Sequence, residues 1–317
     1  MDLLEEAKKN TPPKKYPFYI KLFSLLSVVR GYNIAVLVFA QYMASIFIFS
    51  HNRSLINVLL DFHLYIIVLS TICVIASGYI INNFYDSDTD RINRPEKSKL
   101  DAIVSQKTKL SIYFVLNFIG VGISFIVSVR AAIFFAVYIF LIWLYSHKLK
   151  KYPLVSLFSA ATLTILPFFA IFVYFKNFSY IIFTHAAFVF CVLLIKELVK
   201  DLEKIKGDVV QNYKTIPIVY GEHFTKILTS LLIIFAFDPI YFLFKNPEIG
   251  GMRYYFYTSI VVLIFCGILL WRSKSQKQYN LIHNILKLLI IAGIFSMAFI
   301  DHDIIINKVD NLLSCLL

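Results

Sequence analysis

The stretch Ile80-Ile81-Asn82-Asn83-Phe84-Tyr85-Asp86-Ser87-Asp88-Thr89-Asp90-Arg91-Ile92-Asn93-Arg94-Pro95 changes character partway along. Its first residues close an apolar run over about 62–83, and the rest is rich in aspartate and arginine. A helix needs roughly 20 apolar residues to cross the hydrocarbon of a bilayer, and this run has that length. If the helix continues past Asn83, then Asn82, Asp86 and Asp90 fall at i, i+4 and i+8 and stack on one face. Like charges so placed repel, and a cation offsets the repulsion. Oxygen-only donors suit a hard ion such as Mg²⁺, which is usually held by one or two carboxylates plus substrate phosphates. A diphosphate is then a natural partner. The plainer alternative is a solvated helix end, with Asp88 and Asp90 answered by Arg91 and Arg94.

The apolar pattern recurs along the chain. Of 317 residues, 59% are apolar and 16% charged, and mean hydropathy is +0.74. Soluble chains carry about 25% charged residues, so a soluble enzyme is excluded, and so is extended disorder. Nine spans are expected, near 33–50, 62–83, 110–129, 131–147, 154–175, 179–195, 227–244, 254–271 and 283–300. The fold class is therefore all-α and polytopic. Pro167 and Pro239 are expected to kink their helices. Residues 1–30 read as a polar, Pro/Lys-rich segment without a signal-peptide cleavage site, 31–305 as the membrane domain and 306–317 as a short tail. Cys73, Cys191, Cys266 and Cys315 are widely spaced, which argues against a disulfide scaffold or a structural zinc site.

Charge orients the spans. With the N-terminus inside, 25 of the 31 Lys and Arg fall on the inner side, leaving Arg53, Arg130, Lys176, Lys245, Arg253 and Lys308 outside. That split predicts a cytoplasmic N-terminus and an outer C-terminus. The net charge of +12 reads as cytoplasmic loops rather than nucleic-acid binding. Ten of the 19 acidic residues sit in two inner segments: Asp86, Asp88, Asp90, Glu96 and Asp101 in one, Glu197, Asp201, Glu203, Asp208 and Glu222 in the other. In the second, Glu197 and Asp201 are at i, i+4, and Gly207 is expected to end the helix just before Asp208. Alone, its alternation of Lys and Glu reads as a surface helix. Two acidic helix ends on one membrane face point to a shared site.

These stretches resemble the UbiA superfamily of intramembrane prenyltransferases over nearly the whole chain. Asn82-Asn83-x-x-Asp86-x-x-x-Asp90, followed by Arg91-Ile92-Asn93-Arg94-Pro95, is similar to that family's first signature, Asn-Asp-x-x-Asp-x-x-x-Asp. Tyr145-Ser146-His147-Lys148-Leu149-Lys150-Lys151 is similar to its Tyr-Ser-x-x-Leu-Lys loop. Lys200-Asp201-x-Glu203-x-x-x-Gly207-Asp208, then Lys214-Thr215-Ile216-Pro217 and Gly221, resembles its second Asp-rich motif and downstream Lys-Thr-x-Pro. Within the family the style looks most like the digeranylgeranylglyceryl-phosphate synthase branch. Three positions depart. Asn83 replaces an Asp, and Leu157 stands where many members have Asn. Lys204 stands where the second motif usually has Asp, and a lysine cannot ligate Mg²⁺. Either Asp201 or Glu203 takes that place, or the second ion is held weakly, or Lys204 meets diphosphate as a point charge.

The resemblance implies nine helices and Mg²⁺-dependent transfer of a polyprenyl group, such as geranylgeranyl, from its diphosphate to a small or lipid acceptor. Geranylgeranylglyceryl phosphate is the acceptor this branch suggests, with an aromatic quinone precursor as the alternative. It implies that Asn82, Asp86 and Asp90 hold one Mg²⁺, and that Asp208 with Asp201 or Glu203 holds a second. Asp86, Asp90 and Asp208 are the expected catalytic residues. Arg94 and Lys148 are expected on the leaving group. Arg30 and Asn33, at the inner end of the first span, are expected on phosphate or acceptor, with snorkelling the plainer reading for Arg30. Tyr145, Tyr79, Phe84 and Tyr85 are candidates for stabilising an allylic cation by cation–π contact, or are lipid-facing rings. The expected setting is a bacterial inner (cytoplasmic) membrane with cytoplasmic active-site loops and lipid as a partner.

Rival readings are a CDP-alcohol phosphotransferase, which needs an Asp-Gly dipeptide that does not occur, and a membrane cation transporter, which keeps its acids near the bilayer midplane. Asp238, before Pro239, is an intramembrane acid expected in an interior hydrogen bond or at the interface. Asp301 and Asp303 begin the outer tail, and His63, His147 and His185 share no metal spacing.

Overall fold

The computed structural model describes residues 16–50, 53–210 and 212–300. Among them every regular element is helical. In chain order these are α1 (Phe18–Val28), α2 (Gly31–Ala44), α3 (Leu55–Leu59), α4 (Phe62–Tyr85), α5 (Ser87–Asn93), α6 (Pro95–Asp101), α7 (Gln106–Ser124), α8 (Val129–His147), α9 (Pro153–Phe175), α10 (Tyr180–Val210), α11 (Ile216–Phe235), α12 (Phe237–Phe244), α13 (Arg253–Arg272) and α14 (Gln276–Ser296). The tail from Asp301 on, including Asp303, Lys308 and Cys315, lies outside the described residues, as do the prolines at 12 and 13.

Among the described residues eight segments are long and apolar enough to cross a membrane, from Gly31–Phe49 to Gln276–Phe299. The ninth expected stretch, near 110–129, is present as α7 but is not one of the eight. Lys107, Lys109 and Asn117 dilute its apolar character. The structure accommodates them. Lys109 is buried, and its ammonium donates to Asn83 Oδ1 at 2.9 Å. Ser77 of α4 donates to Asn117. α7 thus lies along α4 as part of the bundle.

α1 is an element that composition alone concealed. It exposes Phe18, Tyr19, Leu22, Phe23 and Leu26. From it Ser24 donates to the Leu100 carbonyl and Ser27 to Asp101 Oδ1, both at 2.8 Å, pinning it to α6. A helix with one such apolar face suits the bilayer interface. At its end Arg30 adopts φ +51°, a left-handed conformation, and turns the chain into α2.

The two intramembrane prolines are accommodated differently. Pro167 lies inside α9 and cannot donate to the Leu163 carbonyl. Tyr138 fills that role, its hydroxyl donating to Leu163 O at 2.7 Å, while Gln41 donates to Pro167 O at 3.1 Å. Pro239 sits in the first turn of α12, where a missing N–H costs little, and the helix breaks ahead of it at Ala236. Asp238 is exposed at that break, which fits the interfacial one of the two settings expected for it and not the interior one.

The longest helix, α10, organises the core. Its Phe188, Val192, Ile195, Val199 and Leu202 pack with Phe256 and Leu263 of α13 and Leu286 of α14. Leu157, where the family often has Asn, is buried against Leu193, Leu194 and Leu198, so at this position the chain packs rather than hydrogen-bonds.

Candidate active site

The first motif does not continue as one helix. α4 stops at Tyr85, and Asp86 takes φ −92°, ψ 6° before α5 begins at Ser87. Backbone bonds bridge the step, Asp86 N to Asn82 O at 2.9 Å and Asp90 N to Asp86 O at 2.8 Å. Asp and Ser favour such breaks because their side chains compete for backbone partners. The break corrects the stacking expected of an unbroken helix. Asn82 and Asp86 line a cavity, whereas Asp90, though buried, does not.

That cavity holds about 680 Å³. At one end eight basic side chains line it (Arg30, Arg94, Lys97, Lys150, Lys196, Lys200, Lys204 and Lys287) against two acids, Asp86 and Glu197. At the other it is walled by Val36, Leu37, Ala40, Ile75, Leu163, Phe168 and Ile294. A cationic mouth thus opens into an apolar throat.

Asp86 is buried at the mouth. It forms an ion pair with Lys150 and accepts a hydrogen bond from Tyr213 at 3.2 Å. Burial alone would raise its carboxyl, but the Lys150 and Lys204 ammoniums and the two hydrogen bonds outweigh it and hold it below the usual carboxylate range. Burial and the Asp86 charge push the Tyr213 phenol upward, so it stays a donor. The lysine here is Lys150. Lys148, expected on the leaving group, is exposed at the end of α8 and does not line the cavity. The short turn Leu149–Lys151 rotates Lys150 inward. Both lysines belong to the same quoted motif, and only the turn separates their roles.

α10 runs unbroken through Gly207, contrary to the expected stop. The glycine serves packing instead: a Cβ there would sit 2.3 Å from Asn93 Nδ2. α5 therefore presses onto α10 and joins the two motifs. Asn93 donates to Lys204 O at 3.4 Å, and Arg94 pairs with Glu203 at 3.4 Å. Glu203 also meets His283 Nδ1 at 2.7 Å, a partner 80 residues away that no sequence signal marked. Glu203 lines a smaller polar pocket with Arg94, Asn280 and Lys287, not the main cavity. Asp201, half-buried, and Asp208, buried, do not line the main cavity either. Glu197 does, but pairs with Lys196 at 3.2 Å and with Lys200.

Arg30, Asn33 and Tyr145 line the cavity. The Arg30 guanidinium stands over the Tyr79 ring at 5.2 Å, and Asn33 donates to Tyr79 Oη at 3.4 Å. Of the candidate rings, Tyr79 and Tyr145 line the cavity and Phe84 and Tyr85 do not; Tyr85 is hydrogen-bonded to His147 instead.

The residues present fit one hard cation. Asn82 Oδ1 is buried with no hydrogen-bond partner among the described residues, and it lines the same cavity as the Asp86 carboxylate. Among the described residues no three His, Cys, Asp or Glu gather as a metal group. An ion held here would complete its shell with substrate or water oxygens, which is the habit of Mg²⁺.

Residues 37–291 match the UbiA prenyltransferase family. A digeranylgeranylglyceryl phosphate synthase of Methanobrevibacter smithii is 29% identical over 239 residues, covering 72% of this chain and 83% of that protein. One of Thermococcus gammatolerans is 27% identical over 228 residues, covering 70% and 79%. Among solved structures, one of a digeranylgeranylglyceryl phosphate synthase shares the fold at TM-score 0.65 and 22% identity, over 88% of this chain and 97% of that one. A UbiA homologue of Archaeoglobus fulgidus bound to GPP and Mg²⁺ gives TM-score 0.63 at 16% identity, over 86% and 99%.

Proposed function

This chain belongs to the UbiA prenyltransferase family, and from that premise we propose that it transfers a geranylgeranyl-type chain from its diphosphate to a prenylated glyceryl phosphate. The observation that carries the reading is the single cavity in which a cationic mouth continues into an apolar throat. An anionic headgroup on a long hydrocarbon matches both ends. The acceptor class comes from the synthases named above, which are archaeal.

Asn82 and Asp86 would hold the Mg²⁺. Bound there, the ion supplies positive charge to diphosphate oxygens as the leaving group develops its negative charge. The protein's own groups do the rest. Lys150 and Lys200 bind the diphosphate, and Tyr213 orients the Asp86 carboxylate. The apolar throat holds the prenyl chain away from water. The allylic C–O bond breaks with its electron pair leaving on diphosphate, and the Tyr79 and Tyr145 rings flank the carbon that becomes electron-poor. The acceptor hydroxyl bonds to that carbon, and its proton passes to the departing diphosphate. Arg30 then serves the acceptor's phosphate, and Arg94 the leaving group, both from the lining of the mouth.

We place the protein in a cytoplasmic membrane, bacterial or archaeal, with the mouth on the cytoplasmic side. The gathering of Lys and Arg in the loops on that side supports this orientation. The test uses purified protein with labelled geranylgeranyl diphosphate and geranylgeranylglyceryl phosphate. Mg²⁺-dependent release of diphosphate together with a doubly prenylated product is expected. A protein that moves cations across vesicles but releases no diphosphate would sink the reading in favour of a transporter.

A further inference from the structure

We propose that Lys204 takes the place of a second divalent ion: its ammonium binds the diphosphate directly, and the chain loads one Mg²⁺ per substrate, on the Asn82–Asp86 side. This rests on the prenyl-diphosphate reading above.

The two walls of the mouth carry opposite donors. On the α4 side stand the orphaned Asn82 amide oxygen and, beside it in the lining, the Asp86 carboxylate, which Lys150 and Tyr213 hold. The α10 side adds no unpartnered side-chain oxygen to the lining among the described residues. Leu193, Glu197, Lys200 and Lys204, spaced four, three and four residues apart, form one helical stripe, and all four line the cavity. The only acid on that stripe, Glu197, is already paired with Lys196 and Lys200. Glu203, which lines the neighbouring pocket, is held by Arg94 and His283. Asp201 and Asp208 do not reach the lining.

Lys204 itself is buried and has no ion-pair partner within 4.0 Å among the described residues. A buried ammonium is costly unless an anion answers it. The charges that bear on it are the Lys200 and Lys150 ammoniums, then Asp86 and the Arg94 guanidinium, with Asp208 also within its field, so cations crowd it and an added anion relieves them. An ammonium is a compact charge with three donors, which suits diphosphate oxygens and repels a divalent ion.

The test counts ions rather than turnover. Full-length protein in nanodiscs is titrated with Mn²⁺, read by electron paramagnetic resonance, in the presence of geranylgeranyl thiodiphosphate, which resists ionisation. The wild type is expected to take up one Mn²⁺ per chain and Lys204→Asp two. Lys204→Met should keep the one ion and bind the analogue about tenfold more weakly or worse; this arm decides the matter if Lys204→Asp does not fold. Two ions in the wild type, one in a folded Lys204→Asp, or undiminished analogue affinity in Lys204→Met overturns the proposal. Analogue binding with two ions removes only the role of Lys204, whereas no analogue binding at all removes the substrate reading with it.

Discussion

The two acidic stretches look alike as strings of Asp, Glu, Lys and Arg, yet they are built in opposite ways. The first breaks at Asp86, and the break delivers an amide oxygen and a carboxylate to the cavity while turning Asp90 elsewhere. The second stays one helix from Tyr180 to Val210, and its register delivers lysines and one acid, Glu197, already paired with two of them, while Glu203 turns to Arg94 and His283 and Asp201 and Asp208 do not line the cavity. What counts as a ligand is decided by the direction of a helix face, not by the density of carboxylates. The two walls are then complementary, one suited to a cation and one to the anion that cation accompanies.

The largest expected effect lies on the first wall. Asp86→Asn keeps the shape and an acceptor for Tyr213 but removes the charge, and prenyl transfer should fall on the order of 10²–10³-fold while the protein stays folded. Steady-state rates at saturating Mg²⁺ check this, and near-normal turnover would break the comparison. An intermediate effect is expected where the walls meet. Gly207→Val drives a branched side chain into the Asn93 amide and should destabilise by about 1–3 kcal/mol, lowering the thermal midpoint in detergent. An unchanged midpoint would mean that the close approach of α5 to α10 is slack. The smallest effect is expected at Asp201. It does not line the cavity, so Asp201→Asn should change kcat by no more than about twofold. A loss as large as that of Asp86→Asn would put a carboxylate back on the second wall.

Much of this was legible in the residues. Apolar runs located the long helices, and the family resemblance marked both motifs. What misled was local geometry. Lys148 and Lys150 are two positions apart in one basic loop, and nothing in their chemistry says which faces inward. Gly207 carries the signature of a helix stop, yet it is a packing glycine, because its reason lies in Asn93, more than a hundred residues earlier. Lys109 and Asn117 made α7 a weaker span than its neighbours, although Asn83 and Ser77 on α4 answer both. His283 and Tyr213 are not legible in the sequence, because a single polar residue in an apolar helix or a short loop carries no pattern of its own.

By itself the sequence determined that the chain is a helical membrane protein, because hydrocarbon admits only backbones that satisfy their own hydrogen bonds and apolar length is written residue by residue. It also determined which two stretches carry the charge. Only the tertiary structure decided which side chains from those stretches share one cavity. That choice depends on where a helix breaks, how its stripe is rotated and how closely a neighbour can approach, and each of these is set by contacts between residues far apart in the chain.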